Sequence, residues 1–405
     1  MPEGVLGDEL LEAQLQRAVM AASIGAADRD ECIAVAGRIG GVDLDRWYEE
    51  WRRVGDLAVA DAERLIGLDD HGGASRAFLR ASTYYRTAGV MLYGTPVDPR
   101  LIAANADQTD AFRRACALFP NPPSVVEVPY EGTTLPGYWF EPAPAEESTL
   151  DGAVVVLTGG YDGTAEELYT FTGAAAAARG YRVLCFDGPG QGAALLQQGL
   201  TVRPDWEAVI APAIDWITAR PGVDPARIAL VGLSLGAHLA PAAASREHRV
   251  AACAADCGSF DLYASAIERL PGPLVAGLDP RNRVRRWLLS KVLGIVAAKP
   301  TAGWALRRGQ LVHGASSPLG YLESLRPFTL RDKAAAIRCP VFVNNAEDDD
   351  IGATAPELAA ALTVPHVFTT FTRAQGAGDH CEVGNRQVYL DALFAWMDPL
   401  LTSGA

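Results

Sequence analysis

An apolar run, a tight turn and an alanine-rich segment follow one another over residues 227–245, RIALVGLSLGAHLAPAAAS. The turn GLSLG has glycines two residues before and two residues after Ser234, as a sharp strand-to-helix turn requires. The run IALV before it fits a central strand with both faces covered. Such a turn raises the serine hydroxyl above the sheet and leaves the N–H of Leu235 free to bind an oxyanion. We therefore predict a nucleophile elbow at Ser234, rather than a serine in an ordinary strand–helix turn.

The length and charge of the chain limit its class. Its 405 residues allow one large α/β domain and a smaller helical domain. A formal net charge of −14 argues against nucleic acid or an anionic membrane as a partner. The N-terminal sequence MPEGVLGDELLEAQ lacks the basic and apolar regions of a signal peptide, and no apolar run is long enough to span a membrane. The seven scattered cysteines predict reduced thiols in a cytoplasmic protein.

Helical periodicity dominates residues 8–120. Apolar residues recur at steps of three and four in four segments, over residues 10–20, 44–65, 74–91 and 107–118. The last segment ends at the sequence PNPP, so we predict an N-terminal helical domain over residues 1–122. Four aromatic residues are expected mainly in its core, with one or two lining a substrate cavity: Trp47, Trp51, Tyr84 and Tyr85.

Strands and helices alternate through the rest of the chain, except over residues 258–337. Two strands joined by the turn EGTT predict an antiparallel edge, and the later alternation predicts a parallel, doubly wound sheet over residues 123–257 and 338–405. Residues 258–337 show helical spacing with proline and glycine breaks instead. They lie between the strand after the elbow and the strand expected to carry a catalytic acid, which predicts a helical cap over Ser234.

A nucleophilic serine needs a base, and the base needs an orienting acid. In a sheet of this kind both follow the serine in chain order. After the strand VFVNN comes AEDDD, in which Asp349 is favoured by its distance from the strand, with Asp350 and Asp348 as alternatives. His380, on the glycine-rich loop QGAGDHC, is the one of six histidines with the expected order and loop, whereas His238 is expected to be packed in the elbow helix.

The loop TGGYDGT, after the first parallel strand, is expected to supply the second oxyanion donor, from the N–H of Gly160 or Tyr161. Asp162 in this loop is either a turn residue or a catalytic acid, and the second role would call for a raised pKa. No residue cluster beyond these has metal-ligand spacing, and DGPGQG at residues 187–192 lacks the spacing of a nucleotide-binding loop. We therefore expect neither a metal nor a cofactor.

The segments YEGTTLPGYWF, GGYDGTAEELY, FDGPGQG, RPDWEAV, GLSLGAH and GAGDHCEVGN together resemble one branch of the α/β-hydrolases. That branch includes fermentation–respiration switch-like esterases, 2,6-dihydroxypseudooxynicotine hydrolase and fungal hydrolases that shorten naphthopyrone polyketides. The resemblance covers nearly the whole chain and implies an α/β-hydrolase fold with a triad of Ser234, Asp349 and His380. In the nicotine-degrading relative, a glutamate of the oxyanion-side loop assists carbon–carbon cleavage. Asp162 matches it with one methylene fewer, and Ala346 replaces the glycine usual before the acid.

These features predict a serine hydrolase that forms an acyl-enzyme with a small molecule. The scissile bond would be an ester or the carbon–carbon bond of a β-diketone or aryl ketone, in a polyketide-like or aromatic substrate. Two alternatives stay open. One is acyl transfer or ring closure, in which a hydroxyl or amine replaces water. The other is a ligand-binding protein of the same fold without catalysis. A second copy of the chain, forming a homodimer, is among the expected partners.

Overall fold

An eight-stranded sheet forms the centre of the molecule. The computed structural model describes residues 4–142 and 149–403. The strand order is β1-β2-β4-β3-β5-β6-β7-β8, and the strands are β1 Ser124–Tyr130, β2 Thr133–Phe140, β3 Val154–Thr158, β4 Arg182–Phe186, β5 Ile228–Leu233, β6 Ala252–Asp256, β7 Val341–Ala346 and β8 His366–Phe371. β2 is antiparallel to β1 and β4, and the other neighbours are parallel. The predicted mostly parallel sheet with an antiparallel edge is confirmed.

Five helices precede the sheet, at α1 Glu9–Met20, α2 Arg29–Ile39, α3 Leu44–Ile66, α4 His71–Gly89 and α5 Pro99–Cys116. An aspartate side chain accepts backbone N–H groups at the start of every one of these five. The prediction that the fourth helical segment starts at residue 107 is wrong, because this helix starts at Pro99. Proline is favoured in the first turn, where its missing N–H costs nothing, and Asp98 caps that turn.

The next helices alternate with the strands. They are α6 Ala165–Leu168, α7 Ala174–Arg179, α8 Gly192–Leu196, α9 Glu207–Thr218 and α10 Gly236–Ala244. A π-helical turn, Tyr169–Gly173, joins α6 to α7, so the two form one continuous helix that is locally widened.

Five more helices lie between β6 and β7, at α11 Leu262–Glu268, α12 Gly272–Val275, α13 Arg283–Ala297, α14 Trp304–His313 and α15 Pro318–Ser324. They share a small apolar core that contains Leu289, Leu293 and Leu322. The indole N–H of Trp304 donates to the carbonyl oxygen of Val90 at 2.8 Å, which ties α14 to the N-terminal helices.

The last two helices, α16 Ala355–Ala361 and α17 Arg386–Leu401, complete two layers around the sheet. Val155 and Leu157 of β3 pack into a core shared with α1 to α5 and α17, whereas Val154 and Val156 pack into the opposite core with α8, α9, α10 and α16. This two-sided burial is what a doubly wound sheet requires. Among the helices of residues 4–142 and 149–403, none combines the length and apolar character needed to cross a membrane.

Candidate active site

The turn between β5 and α10 holds Ser234 in a left-handed conformation, with φ of 59°. The flanking glycines make this turn sterically feasible. A Cβ on Gly232 would lie 2.0 Å from the carbonyl oxygen of Gly236, and a Cβ on Gly236 would lie 2.2 Å from that of Thr158. Any side chain at either position would therefore collide with backbone. The strained strand-to-helix turn expected from GLSLG is present, and Ser234 stands at its tip.

Three side chains form a continuous chain of short contacts. His380 Nε2 lies 2.8 Å from Ser234 Oγ, and His380 Nδ1 lies 2.8 Å from Asp349 Oδ2. The buried Asp349 carboxylate also accepts the backbone N–H groups of Ile351 at 2.8 Å and Gly352 at 3.0 Å. The acid is therefore fixed in place by the loop that follows β7: Oδ1 accepts from Ile351, and Oδ2 accepts from Gly352 and also faces the imidazole.

The pKa values of Asp349 and His380 are shifted in opposite directions. Burial raises the pKa of Asp349, but the neighbouring His380 and the two backbone N–H donors outweigh it, so the pKa lies below its usual value. Burial alone would lower the pKa of His380, yet Cys381 and Asp349 raise it well above its usual value. The pair is thus arranged to stabilise an imidazolium beside a carboxylate.

The neighbouring aspartates of the acidic run face other partners. Asp348 bonds to Arg373, whose Nε donates to it at 3.0 Å. Asp350 is exposed, and its backbone carbonyl accepts a hydrogen bond from Arg269 at 2.7 Å. Within the described residues, Asp349 is the aspartate of this run that reaches the imidazole.

The loop after β3 passes directly against the serine. A Cβ on Gly160 would lie 3.0 Å from Ser234 Cβ and 3.2 Å from Ser234 Oγ. Within residues 4–142 and 149–403, the backbone N–H groups of Leu235, Gly160 and Tyr161 donate to no protein acceptor. These donors are consequently free to bind an oxyanion at the serine.

Residues 187–192, DGPGQG, pack against this loop on the side away from the serine and hydrogen-bond to it. Asp187 accepts the backbone N–H groups of Ala165 and Ala193, each at 2.7 Å, and Gln191 Nε2 donates to the carbonyl oxygen of Gly159 at 2.7 Å. The polar groups of the sequence are thus used inside the protein. It is a structural support for the loop that carries Gly160.

Asp162 combines the turn expected from the sequence with contacts that sequence reasoning missed. Gly163 N donates to Gly160 O at 3.4 Å, which places Asp162 within a turn. Its buried carboxylate also accepts hydrogen bonds from Arg17 and Arg86, each at 2.7 Å, and from Arg308 at 2.9 Å. Burial raises the pKa of Asp162, but the three arginines overcome this and hold it well below its usual value. The pKa of Asp162 is therefore shifted in the direction opposite to the one expected of a catalytic acid.

A cavity of about 750 Å³ opens onto Ser234 and His380. Its walls come from the loop after β3, from α1 and from three of the helices between β6 and β7, and they include Leu10, Arg17, Tyr161, Phe171, Leu262, Trp304, Arg308 and Tyr321. The four aromatic residues considered from the sequence are all buried in the N-terminal helices, and none lines this cavity: Trp47, Trp51, Tyr84 and Tyr85.

The side chain of Tyr161 belongs to the cavity wall. Its hydroxyl lies 3.0 Å from His313 Nε2 and accepts a hydrogen bond from Tyr321 at 3.3 Å. Burial lowers the pKa of His313 to about 3, so this ring is neutral. His238, expected to be packed, is fully buried with Nδ1 2.9 Å from the carbonyl oxygen of Ser259.

A buried ionic network beneath His380 was not foreseen from the sequence. Arg386 Nη1 lies 2.6 Å from Asp256 and 3.0 Å from Glu382, and Asn344 Nδ2 donates to the same two carboxylates at 3.0 and 2.9 Å. Glu382 has a left-handed φ of 50°, so this network holds the strained loop that carries His380. The sequence feature that could have indicated this network is the placement of charged residues in otherwise apolar segments, with Asp256 at the end of a buried strand.

Two groups of side chains in the described part of the chain, both buried except for the half-buried His380, lie close enough together to share a metal ion: Cys257, His380 and Cys381, and Asp256, Cys257 and Glu382. The carboxylates of the second group are engaged by Arg386 and Asn344, and His380 contacts Ser234 and Asp349 through both nitrogens. The ligand atoms of both groups therefore already have protein partners.

The sheet, the elbow and the ordered loops are those of the α/β-hydrolases. Residues 154–386 match the profile of the Alpha/beta hydrolase family, and the chain belongs to this family. Residues 7–265 match the profile described as Esterase FrsA-like, which includes the N-terminal helices. The resemblance inferred from the sequence is confirmed.

The relatives of the chain are hydrolases. It is 31% identical to Hydrolase LUC6 of Fusarium sp, in an alignment that covers 92% of each chain. It is 32% identical to 20-hydroxy-prefusarin hydrolase FUS2 of Gibberella moniliformis, again with 92% of each chain covered. The crystal structure of the 2,6-dihydroxy-pseudo-oxynicotine hydrolase is similar in fold, with a TM-score of 0.74 and 19% identity over 95% of this chain and 96% of that one. The protein is an enzyme with hydrolase activity of the α/β-hydrolase type.

Proposed function

We propose that the enzyme is a serine hydrolase in which Ser234 is the nucleophile, His380 the general base and Asp349 the acid that orients the imidazole. The observation that carries this proposal is the chain of two 2.8 Å contacts that runs from the serine hydroxyl through the imidazole to a buried carboxylate. Nucleophile, base and orienting acid in hydrogen-bond reach of one another are the geometric signature of covalent acyl transfer.

The reaction follows from the positions of these groups. His380 Nε2 takes the hydroxyl proton as Ser234 Oγ attacks the substrate carbonyl, and Asp349 stabilises the imidazolium that forms. The N–H of Leu235, with that of Gly160 or Tyr161, binds the oxyanion. The leaving group departs, taking a proton from the imidazolium if it needs one. Water, activated by His380, then hydrolyses the acyl-enzyme.

The substrate that we propose is a small molecule with an ester or a ketone carbon–carbon bond next to a polyketide-like or aromatic group. A cavity of about 750 Å³, whose exposed wall surface is mostly apolar, is large enough for a small organic molecule of this kind. We also propose that residues 258–337 act as a cap, since α11, α14 and α15 contribute cavity walls above the sheet. Asp162 is ionised and held by three arginines, so in this proposal it does not donate the proton to a leaving carbanion.

A fluorophosphonate label tests the nucleophile. The wild-type chain should be labelled at Ser234, and Ser234→Ala should lose both the label and turnover of an activated ester, by about 10⁴-fold or more. Ser265 lines the same cavity, so Ser265→Ala is the matched control and should keep both. Undiminished turnover in Ser234→Ala would reject the mechanism, and labelling with acyl transfer to an added amine in place of hydrolysis would favour a transferase.

A further inference from the structure

Three arginines and two carboxylates form a compact charged cluster in the cavity wall beside Ser234. Asp162 accepts from Arg17, Arg86 and Arg308, and Glu167 accepts from Arg17 Nε at 2.7 Å and lies 3.2 Å from Arg86 Nε. With the pKa of Asp162 held low and the arginines charged, three positive charges face two negative ones. This cluster therefore carries an excess of one positive charge.

Arg308 is the member of the cluster that both lines the cavity and has unused hydrogen-bond donors. Arg17 directs all three guanidinium nitrogens at Asp162 and Glu167. Arg86 donates through Nη1 to Gln14 and through Nη2 to Asp162, and its Nε lies 3.2 Å from Glu167 without forming a hydrogen bond, but its side chain lies outside the cavity lining. Arg308 uses Nη1 for Asp162, whereas its Nε is buried without a partner and its Nη2 has none in the described residues. The Arg308 side chain is only 15% exposed and lines the cavity. Donors left unpaired at such a position are costly unless a ligand accepts from them.

The guanidinium of Arg308 is also held in a fixed place. Its central carbon lies 4.2 Å from the ring centroid of Trp304 and 4.8 Å from that of Tyr161. Both rings are anchored, Trp304 through its bond to the carbonyl of Val90 and Tyr161 through His313. A guanidinium packed on aromatic rings is preorganised to bind an anion, because little side-chain freedom remains to be lost on binding.

The acidic residues elsewhere in the cavity do not neutralise this excess by contact. Asp349 faces His380, Asp348 faces Arg373, and Asp379 accepts a hydrogen bond from Gln16 at 2.7 Å. Each of these three carboxylates has its own partner on the side of the cavity that carries the imidazole. Glu9 of α1 also lines the cavity, and in the described residues its carboxylate makes no ion pair or hydrogen bond with the three arginines. The unpaired donors of Arg308 are on the side that carries the loop after β3.

We propose that Arg308 determines specificity by binding an anionic oxygen group of the substrate, a carboxylate or the enolate of a β-dicarbonyl. This rests on the proposed function of the same cavity and narrows its substrate class to negatively charged acyl compounds. An oxygen anion in the cavity accepts from the free Nη2 of Arg308 and balances the excess charge. Asp162 then serves to hold and orient Arg308, which explains its low pKa and its three arginine contacts.

Two matched esters test the preference in the full chain. One is the mono-p-nitrophenyl ester of succinic acid, and the other is a p-nitrophenyl ester in which an uncharged branched alkyl group of the same size replaces the carboxylate. Arg308→Met should lower kcat/KM for the anionic ester by about 10- to 100-fold, as expected for a charge-assisted hydrogen bond, and for the neutral ester by less than about threefold. Arg308→Lys should recover part of the preference, since it keeps the charge without the fork.

Arg269 provides the matched control, because it lines the same cavity and its Nη2 donates to the carbonyl oxygen of Asp350 at 2.7 Å. Arg269→Met removes the same charge and should leave the preference for the anionic ester in place. An equal loss for both esters in Arg308→Met would show a structural role only. An unchanged preference in Arg308→Met, or its loss in Arg269→Met as well, would overturn the assignment.

Binding is measured separately from turnover, so that failure of the proposed reaction and failure of this inference remain distinguishable. Glutarate and a cyclic β-diketone that ionises at neutral pH serve as carboxylate and enolate probes, and saturating ligand should raise the Tm of the wild type and of Arg269→Met but not of Arg308→Met. The probe that raises Tm identifies which anion is bound. No rise with either probe in the wild type would overturn the inference even if both esters are hydrolysed.

Discussion

At the scale of single residues, the proposed chemistry depends on which aspartate of the run 348–350 presents its carboxylate to the imidazole of His380. Asp349→Asn keeps the size of the side chain but presents an amide to His380 Nδ1, which favours the wrong tautomer and leaves the imidazolium without its counter-charge. Turnover should fall by about 10⁴-fold. Asp348→Asn and Asp350→Asn are the matched controls and should keep activity within a fewfold. Steady-state kinetics on one activated ester compares the three, and equal mild losses would mean that another residue is the acid.

The raised pKa of His380 also predicts the pH dependence of the reaction. The base must be neutral to accept the serine proton, so kcat/KM should fall as the pH decreases through the pKa of His380. Because Cys381 and Asp349 outweigh burial and raise that pKa, the acidic limb should lie at higher pH than for an ordinary histidine. In the residual activity of Asp349→Asn the limb should move to lower pH. A pH–rate profile of the wild type and of Asp349→Asn checks this. An acidic limb at the same pH in both proteins would show that the limb does not report the titration of His380.

Asp162 gives a prediction for stability rather than for proton transfer. Asp162→Asn leaves three buried or half-buried guanidinium groups around an amide, and breaking a buried ion pair costs about 3–5 kcal/mol. The free energy of unfolding, measured in denaturant, should fall accordingly, and activity on ketones and on simple esters should fall together. Asp151→Asn is the control, because the Asp151 carboxylate that pairs with Arg182 is exposed, and it should cost less than about 1 kcal/mol. Retention of stability and of both activities would restore the simple turn interpretation.

At the scale of elements, the sequence predicted what local patterns encode. The glycines of the elbow, the buried strands and the amphipathic helices each leave a short-range signature, and the chain order of Ser234, Asp349 and His380 follows from the succession of those elements. The contacts around Asp162 and Asp256 could not be predicted in this way. They join arginines from α1, α4, α14 and α17 to loops far away in sequence, and no local pattern specifies such pairing.

The elbow offers a test with paired glycine variants. Gly236→Ala would place a Cβ 2.2 Å from the carbonyl oxygen of Thr158, so α10 cannot approach β3 without moving backbone. We expect loss of activity together with a lower yield of folded protein. Gly294→Ala in the exposed part of α13 meets no atom within 4 Å and should stabilise the chain by about 0.5–1 kcal/mol, because alanine has the higher helix propensity. Circular dichroism and thermal melts compare the two, and a fully active Gly236→Ala would contradict the steric argument.

At the scale of the whole molecule, the proposed catalytic groups meet at one edge of the sheet. Ser234 follows β5, the acid loop follows β7, the histidine loop follows β8 and the oxyanion loop follows β3, so all four lie at carboxyl ends of parallel strands. Ligand sites of open α/β sheets lie at this edge. The N-terminal helices reach the same edge, since Gln16 of α1 contacts Asp379 and Arg17 contacts Asp162.

The N-terminal helices should therefore be indispensable. Removing residues 1–120 would expose the sheet face that packs against α1 to α5 and would remove two of the arginines that hold Asp162. We expect insoluble protein rather than an active core. Expression of the truncated chain beside the full chain, followed by gel filtration and an esterase assay, checks this. A soluble, monomeric and fully active truncation would show that the core folds alone.

The cavity walls and the bond-breaking groups come from different parts of the chain, and this has a consequence for how such an enzyme diversifies. Loops after the strands carry the proposed nucleophile, base and oxyanion donors, whereas α1 and α14 contribute wall residues that take no part in the proposed reaction. Leu10, Ala13 and Ala305 project into the cavity from those helices without bonding to any of the reacting groups. Mutational libraries confined to these three positions should redirect the choice of substrate while the reaction itself is inherited unchanged.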